Sequence, residues 1–354
     1  MTTPIIIIAD DLTGALDSAA PFAARGLHVR VALGVDAVGE AAAAAPDVLA
    51  IDTRSRALAA PLAAERIAMA WDAARTLSPR VVMKKVDSRL KGEVGAETAG
   101  LLAAAGRSSA IVCPAVPEQG RTVVGGHLIG RGVDAPIAVA SRFGDLQCEC
   151  PDAADDATLD SIAGAILAAA ERTVAVGARG LAAALANRVA GPANDEGVPP
   201  SALPMVIAIG STDPITGAQV ERLRLDFPRV EEIMSTSSPH ARRDSIILLR
   251  AAWNVESDAM TLLSRFGRET AAMVRATSAR TIFCSGGDTA AAVMDALGAR
   301  QLVVEHELCP GVPVARIEGA DGLRLITKSG GYGEPDVLSR IVRDATASLG
   351  QVAA

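Results

Sequence analysis

Short runs of β-branched and aliphatic residues alternate with longer stretches whose apolar positions recur at helical spacing. Residues 5–8, four isoleucines, form the first run, and residues 12–25 behind them keep a helical pattern despite Pro21. Further strands are predicted at 29–33, 48–51, 81–86 and 110–113. Residues 61–77 open with proline at a first helical turn and place Ile67, Ala70, Trp71 and Ala74 on one face. A short Ala-rich helix is expected at 41–45, and two more helices near 161–170 and 181–189. Strands separated by helices imply a parallel sheet with helical crossovers. Residues 190–200 then carry three prolines and two glycines with little to bury, the composition of a linker. Beyond it the alternation restarts. Strands are predicted at 205–209, 246–250, 281–284, 302–304 and 323–327, and helices at 216–227 and 290–297. A last helix at 335–349 has Val337, Leu338, Ile341, Val342 and Ala345 as its buried stripe. The expected architecture is therefore two α/β domains with mainly parallel sheets, 1–190 and 205–354, joined by a linker at 191–204.

Composition narrows the class. Half of the 354 residues are hydrophobic but only 2% are aromatic, so the core is built from Ala, Val, Leu and Ile, as in parallel α/β sheets. A net charge of −7 argues against nucleic acid or an anionic membrane surface as partner. No apolar run reaches the ~18 residues of a membrane span, and the isoleucine run meets Asp10 and Asp11 too early for a signal peptide. A cytoplasmic protein is expected. The five cysteines form no metal-binding spacing and are read as free thiols.

Candidate chemistry sits where predicted strands end. Asp10 and Asp11 close the first strand, at the edge where open parallel sheets bind ligands. One of the two is expected to face ligand and the other to cap the next helix or brace a neighbour. The loop Lys84-Lys85-Val86-Asp87-Ser88-Arg89-Leu90-Lys91-Gly92 offers cations for a carboxylate and polar groups for hydroxyls. Asp52-Thr53-Arg54-Ser55-Arg56 and the segment 114–122 repeat the polar theme. In the second half Gly210-Ser211-Thr212, Ser285-Gly286-Gly287-Asp288-Thr289 and Lys328-Ser329-Gly330-Gly331-Tyr332-Gly333 each follow a predicted strand. Loops with bare tips, two of them leading into helices, can present backbone N–H groups to phosphates. There is no GxxxxGK[ST], and no GxGxxG after the first strand.

With these motifs in this order, the chain resembles the four-carbon acid sugar kinases over nearly its whole length. The resemblance implies two α/β domains, an N-terminal acid-sugar domain and a C-terminal nucleotide domain, with the active site in the cleft between them. It implies that Asp10 or Asp11 contacts substrate and serves as base. Arg56, Lys85, Asp87 and Ser88 would hold a small sugar acid such as threonate, erythronate or oxo-tetronate, with Lys84 and Lys91 as further cations for its carboxylate. Ser211, Gly286, Gly287, Asp288, Thr289, Gly330 and Gly331 would hold ATP, accompanied by Mg2+ because phosphoryl transfer needs charge neutralised. No protein set for a metal is read from the sequence, and a homodimer is compatible with it. Three motifs depart from the family's usual wording: Lys91 stands where arginine is usual, Asp288 where glutamate is, and Gly177-Ala178-Arg179-Gly180-Leu181 replaces Gly-Ser-Ala-Gly-Leu. The alternative is a non-catalytic sugar-acid sensor of the same fold; loss of the aspartates or of the Gly-rich loops would have favoured it.

Overall fold

The computed structural model describes residues 4–193, 201–228, 230–234, 246–251, 253 and 258–351. Residues 194–200 of the expected linker lie outside them. The chain divides into two units, Met1–Asn194 and Asp195–Ala354.

In the first unit the elements run β1 (Ile5–Ala9), α1 (Leu12–Ala23), β2 (Val29–Leu33), α2 (Val38–Ala43), β3 (Val48–Asp52), α3 (Ala60–Ala74), β4 (Val81–Lys85), α4 (Val94–Ala105) and β5 (Ser109–Cys113). There follow β6 (Arg121–Val124), β7 (His127–Gly130), β8 (Ile137–Ala138), β9 (Cys148–Glu149), α5 (Asp156–Ala168), β10 (Thr173–Gly177) and α6 (Arg179–Ala190). The main sheet has the order β2-β3-β1-β4-β10-β5-β9, every pairing parallel. Every residue of β1 is buried, as a central strand covered on both faces requires. Ala9 pairs with Asp52 on one side and Lys85 on the other, so two polar strand ends flank the end of β1, one residue before Asp10.

Pro21 sits inside α1 without breaking it. Its missing N–H frees the carbonyl of Asp17 one turn back, and the Arg179 guanidinium at the start of α6 donates to that oxygen at 3.3 Å. The small antiparallel sheet β6-β7-β8 was not expected. Its signal was present in Val123-Val124-Gly125-Gly126-His127-Leu128, where both glycines take positive φ (+58° and +73°) to make a tight hairpin turn.

The second unit contains β11 (Met205–Ile209), α7 (Pro214–Asp226), β12 (Glu231–Met234), β13 (Ile246–Arg250), α8 (Ala259–Thr277), β14 (Thr281–Ser285), α9 (Gly287–Leu297), β15 (Gln301–Glu307), β16 (Pro313–Ile317), β17 (Arg324–Lys328) and α10 (Val337–Gln351). Strand order is β12-β13-β11-β14-β17-β16-β15. The first five strands are parallel, and β16 runs antiparallel to both neighbours. One face is closed by the predicted stripe of α10, with Leu338, Ile341 and Val342 packed into the cluster of Met205, Ile207, Phe283 and Ile326. Each unit is thus α/β with a mainly parallel sheet. No helix among the described residues is long and apolar enough to cross a membrane.

Candidate active site

In the first unit the chain leaves β1 toward β2 on one side and leaves β4 toward β5 on the other. Strand order therefore reverses between β1 and β4, and the crevice at their carboxyl ends is where such sheets take ligands. Asp10, Asp11, Arg56, Lys84, Lys85, Asp87 and Ser88 all lie at this edge.

Arg56 organises the carboxylates. Its guanidinium grips Asp10 with two nitrogens, Nη2 to Oδ1 at 2.8 Å and Nε to Oδ2, and lies 3.4 Å from Asp11 and 3.6 Å from Asp87. Burial alone would raise the Asp10 carboxyl. The hydrogen bond from Arg56, with Lys84 and Lys85 nearby, outweighs it and holds the group below the ordinary carboxylate value. The two adjacent aspartates divide their roles. Asp11 is the N-cap of α1, accepting from Gly14 N at 2.8 Å and from the Thr13 hydroxyl at 3.1 Å. Asp10 is 1% exposed and Asp11 20%, so Asp11 presents the more accessible carboxylate. Gly92 (φ +82°) closes over the pair: a Cβ there would lie 3.3 Å from both Arg56 Cδ and Asp10 Oδ2.

The two lysines at the end of β4 point to opposite faces of the sheet. Lys84 is fully buried, 2.9 Å from Glu97 of α4, and donates to Lys85 O at 2.6 Å. Expected among the substrate cations, it is seen here pairing with Glu97, bracing the sheet against α4. Glu97 is also reached by the Ser55 hydroxyl, which is joined to Thr53, and Thr53 donates to Ala9 O at 2.8 Å. Lys85 goes the other way. It donates to Val86 O at 2.9 Å, lies beneath Gly14, and among the described residues pairs with no carboxylate. Asp87 turns the loop by accepting from Arg89 N at 2.8 Å, and Ser88 accepts from Arg121 at 2.9 Å. Lys91 is exposed, and its backbone N–H reaches Asp87 Oδ1 at 3.5 Å.

Glu97, Arg121 and Arg179 were not singled out from the sequence as site residues. Arg179, where small residues are usual, is 6% exposed and donates to Glu118 at 2.6 Å, with Asp17 at 3.8 Å. Asp52, at the end of β3, is completely buried and its Oδ2 has no hydrogen-bond donor; burial pushes its carboxyl up to about 7.

In the second unit the three Gly-rich loops follow the adjacent strands β11, β14 and β17. They are packed so closely that side chains have no room. A Cβ on Gly210 would lie 2.2 Å from Thr289 Oγ1, one on Gly330 2.3 Å from Ser211 Oγ, and one on Gly331 2.9 Å from Asp213 Oδ2. Ser211, Thr289, Gly330 and Gly331 are thereby brought together. Gly286 (φ +103°) is the N-cap of α9 and supplies no capping side chain, so no N-cap side chain covers the amino end of that helix, where backbone N–H groups can meet an anion. Asp288 is exposed at that turn. Two residues given no role from the sequence lie beneath the loops. Thr216 donates to Gly330 O at 2.8 Å and meets Ser285 at 3.0 Å, and Lys328 is fully buried with its ammonium 3.1 Å from Thr216 Oγ1.

Residues 5–140 match a family of sugar-binding N-terminal domains, and residues 229–338 match a family of nucleotide-binding C-terminal domains. The chain is 31% identical to a D-threonate kinase of Bordetella bronchiseptica, over 94% of this chain and 95% of that protein. It is 27% identical to a 3-oxo-tetronate kinase of Pseudomonas fluorescens, covering 98% of this chain and 96% of the other. The chain belongs to the four-carbon acid sugar kinase family. Its fold is also that of a solved Haemophilus influenzae protein, with TM-score 0.70 and 20% identity over 97% of this chain and 99% of that one. A Salmonella typhimurium structure matches at TM-score 0.74 and 18% identity, over 98% and 99% of the two chains. As a member of this family the protein is a kinase, and the nucleotide-binding match falls on the unit that carries the three Gly-rich loops.

Proposed function

We propose that the protein is an ATP-dependent kinase that phosphorylates a hydroxyl of a small sugar acid, with a four-carbon acid such as threonate, erythronate or oxo-tetronate as acceptor. The observation that carries this reading is the polar crevice of the first unit. Carboxylates gathered on Arg56 can accept hydrogen bonds from a polyol, and Lys85 adds a buried ammonium with no carboxylate of its own. A polyhydroxylated anion complements both halves of that arrangement.

The chain's own residues then divide the work. Lys85 meets the acid's carboxylate, and Asp87 and Ser88 orient its hydroxyls. Asp11, the more accessible carboxylate of the pair, accepts the proton of the attacking hydroxyl, while Arg56 holds Asp10 and Asp11 at fixed separation. The backbone N–H groups of α9's first turn and the bare tips at Gly330 and Gly331 hold the nucleotide's phosphates. The γ-phosphoryl group leaves for the substrate oxygen as the proton goes to Asp11, so atoms and charge balance, with ADP as the other product. Mg2+ carried mainly by the phosphates needs only a carboxylate from the protein, and Asp288 or Asp213 could supply it. When bound it would neutralise charge on the phosphates.

The test is ADP release from MgATP across three- to six-carbon sugar acids, with Asp11→Asn and Asp10→Asn in parallel. Turnover of a four-carbon acid that Asp11→Asn lowers by roughly 10²-fold or more supports the assignment. Loss in Asp10→Asn alone would move the base to Asp10. No turnover of any acid by a wild-type protein that binds nucleotide would overturn the acceptor class.

A further inference from the structure

Lys328 ends β17 directly under the three Gly-rich loops, and none of its surface is exposed. Its ammonium makes three hydrogen bonds, to Thr216 Oγ1 at 3.1 Å, Ser329 O at 3.1 Å and Gly330 O at 3.2 Å. All three acceptors are neutral. Among the described residues no carboxylate lies within ion-pairing distance, although a lysine this buried is ordinarily paired. The surrounding elements supply little charge. Facing it from α7 is the neutral Thr216, with Asp213 at that helix's N-cap close enough to be felt but not to pair; β14 supplies the Ser285 hydroxyl through Thr216; α9 carries Asp288 on its exposed first turn.

We propose that Lys328 is a positioning residue of the phosphate cradle, holding the β17 loop against α7, and that its missing counter-charge is the nucleotide's phosphates, so that nucleotide binding draws a proton onto it. This rests on the reading that the second unit holds nucleotide. The geometry explains why a cation should be retained there: three oxygens converge on it, two of them carbonyls of the loop that must stay closed over phosphate. Burial opposes the charge and brings the amine down to about 7 in the empty protein, with Asp213 pulling the other way. A polyanion arriving above the loops raises it again. At pH 8 an amine titrating near 7 is mostly neutral, and its recharging on binding takes up roughly 0.9 proton. At pH 6 it is already charged and almost none is taken up.

The experiment is calorimetric titration of the full chain with MgADP at pH 8, in Hepes and in Tris, whose ionisation enthalpies differ. The expected result is binding whose apparent enthalpy depends on buffer, corresponding to most of one proton taken up, and fading by pH 6. Lys328→Arg, charged at every pH, should bind MgADP without the buffer dependence, an outcome that a purely structural lysine would not produce. Lys328→Met should lose roughly 10-fold or more in affinity while circular dichroism shows it folded. Tight binding by the wild type with no buffer dependence at pH 8 overturns the inference alone. No nucleotide binding by the wild type overturns the reading on which it rests.

Discussion

Lys84 and Glu97 form the one ion pair of the first unit in which both side chains are essentially inaccessible, 0% and 1% exposed among the described residues, at 2.9 Å. Glu97→Leu leaves the ammonium in the sheet–helix interface with the Lys85 carbonyl as its remaining acceptor. Removing one member of a buried pair costs about 3–5 kcal/mol, because the other charge stays desolvated and unmatched. For a unit of this size each kcal/mol moves the melting temperature by about 2–4 °C, so a fall of roughly 6–20 °C is expected. Lys84→Met should also destabilise, by somewhat less, since Glu97 keeps its hydrogen bond from Ser55. The double variant Lys84→Met/Glu97→Leu replaces the pair by apolar groups of similar volume and should recover to within about 2 kcal/mol of the wild type. Most of the shortfall is the lost partner of the Ser55 hydroxyl.

Urea unfolding followed by far-ultraviolet circular dichroism, with the buried Trp71 as a fluorescent reporter within the same unit, measures the cycle. A coupling energy of about 3 kcal/mol is expected, well beyond the scatter of independent sites. Sugar-acid KM in the double variant should stay within roughly threefold of the wild type, since the Lys84 ammonium is already taken up by Glu97 and lies on the opposite face of the sheet from Lys85. Single variants within about 1 kcal/mol of the wild type would refute the bracing role. A hundredfold rise of KM in a stable double variant would return Lys84 to the substrate.

Three further outcomes follow from the same geometry. Arg56→Lys forfeits the two-nitrogen grip on Asp10 and should lower kcat/KM by roughly 100-fold with a melting temperature changed by only a few degrees, read by steady-state kinetics and calorimetry. Gly210→Ala drives a methyl to 2.2 Å from Thr289 Oγ1 and should weaken MgADP binding at least ~10-fold, measured by titration calorimetry, while the sugar-acid KM is unaffected. Asp52 has a folded value near 7 against 3.8 for the free group, so the fold keeps a proton that the unfolded chain has released. Its contribution is therefore present below about pH 4 and lost as pH rises toward 7. Asp52→Asn should raise the melting temperature at pH 8 relative to its effect at pH 4, and an unchanged difference between the two would show the carboxyl to be ionised throughout.

The strands and helices that position the site were legible because burial on both faces writes itself as uninterrupted aliphatic runs: residues 5–8 become β1, and the stripe from Val337 to Ala345 becomes the inner face of α10. The hairpin at Gly125-Gly126 and the strand β16 escaped because short antiparallel strands carry no comparable run, and Pro313 opens the latter. At the site, residue types were legible and their partners were not. Nothing local tells that Glu97 lies against Lys84, since the contact is made by packing α4 on β4. The parity of the strand did hold the distinction: two consecutive lysines cannot face the same side. Likewise the adjacent aspartates could be expected to split into a cap and a second role, and Asp11 is the cap. That its carboxylate also remains the more exposed required the structure, because Asp10 is buried by Arg56, a residue 46 positions away.

The placement of buried positive charge ties the two units to one kind of chemistry. In each, a lysine forms the last residue of a parallel strand: Lys85 in β4 and Lys328 in β17. The sheet covers the aliphatic stem of such a residue and delivers the ammonium to the carboxyl edge, where ligands bind. Both are nearly or fully buried and neither has a carboxylate partner among the described residues, whereas Lys84, one position earlier than Lys85, is matched by Glu97. A fold able to neutralise Lys84 could have placed an acid beside the other two. Leaving them without a directly paired carboxylate is costly, and under the proposed function an anion at each edge would offset that cost: the acid's carboxylate over β4 and phosphates over β17. If the proposed function holds, these buried lysines are halves of ion pairs completed by substrates, and the prediction for Lys328 separates that description from a structural cation by counting a proton.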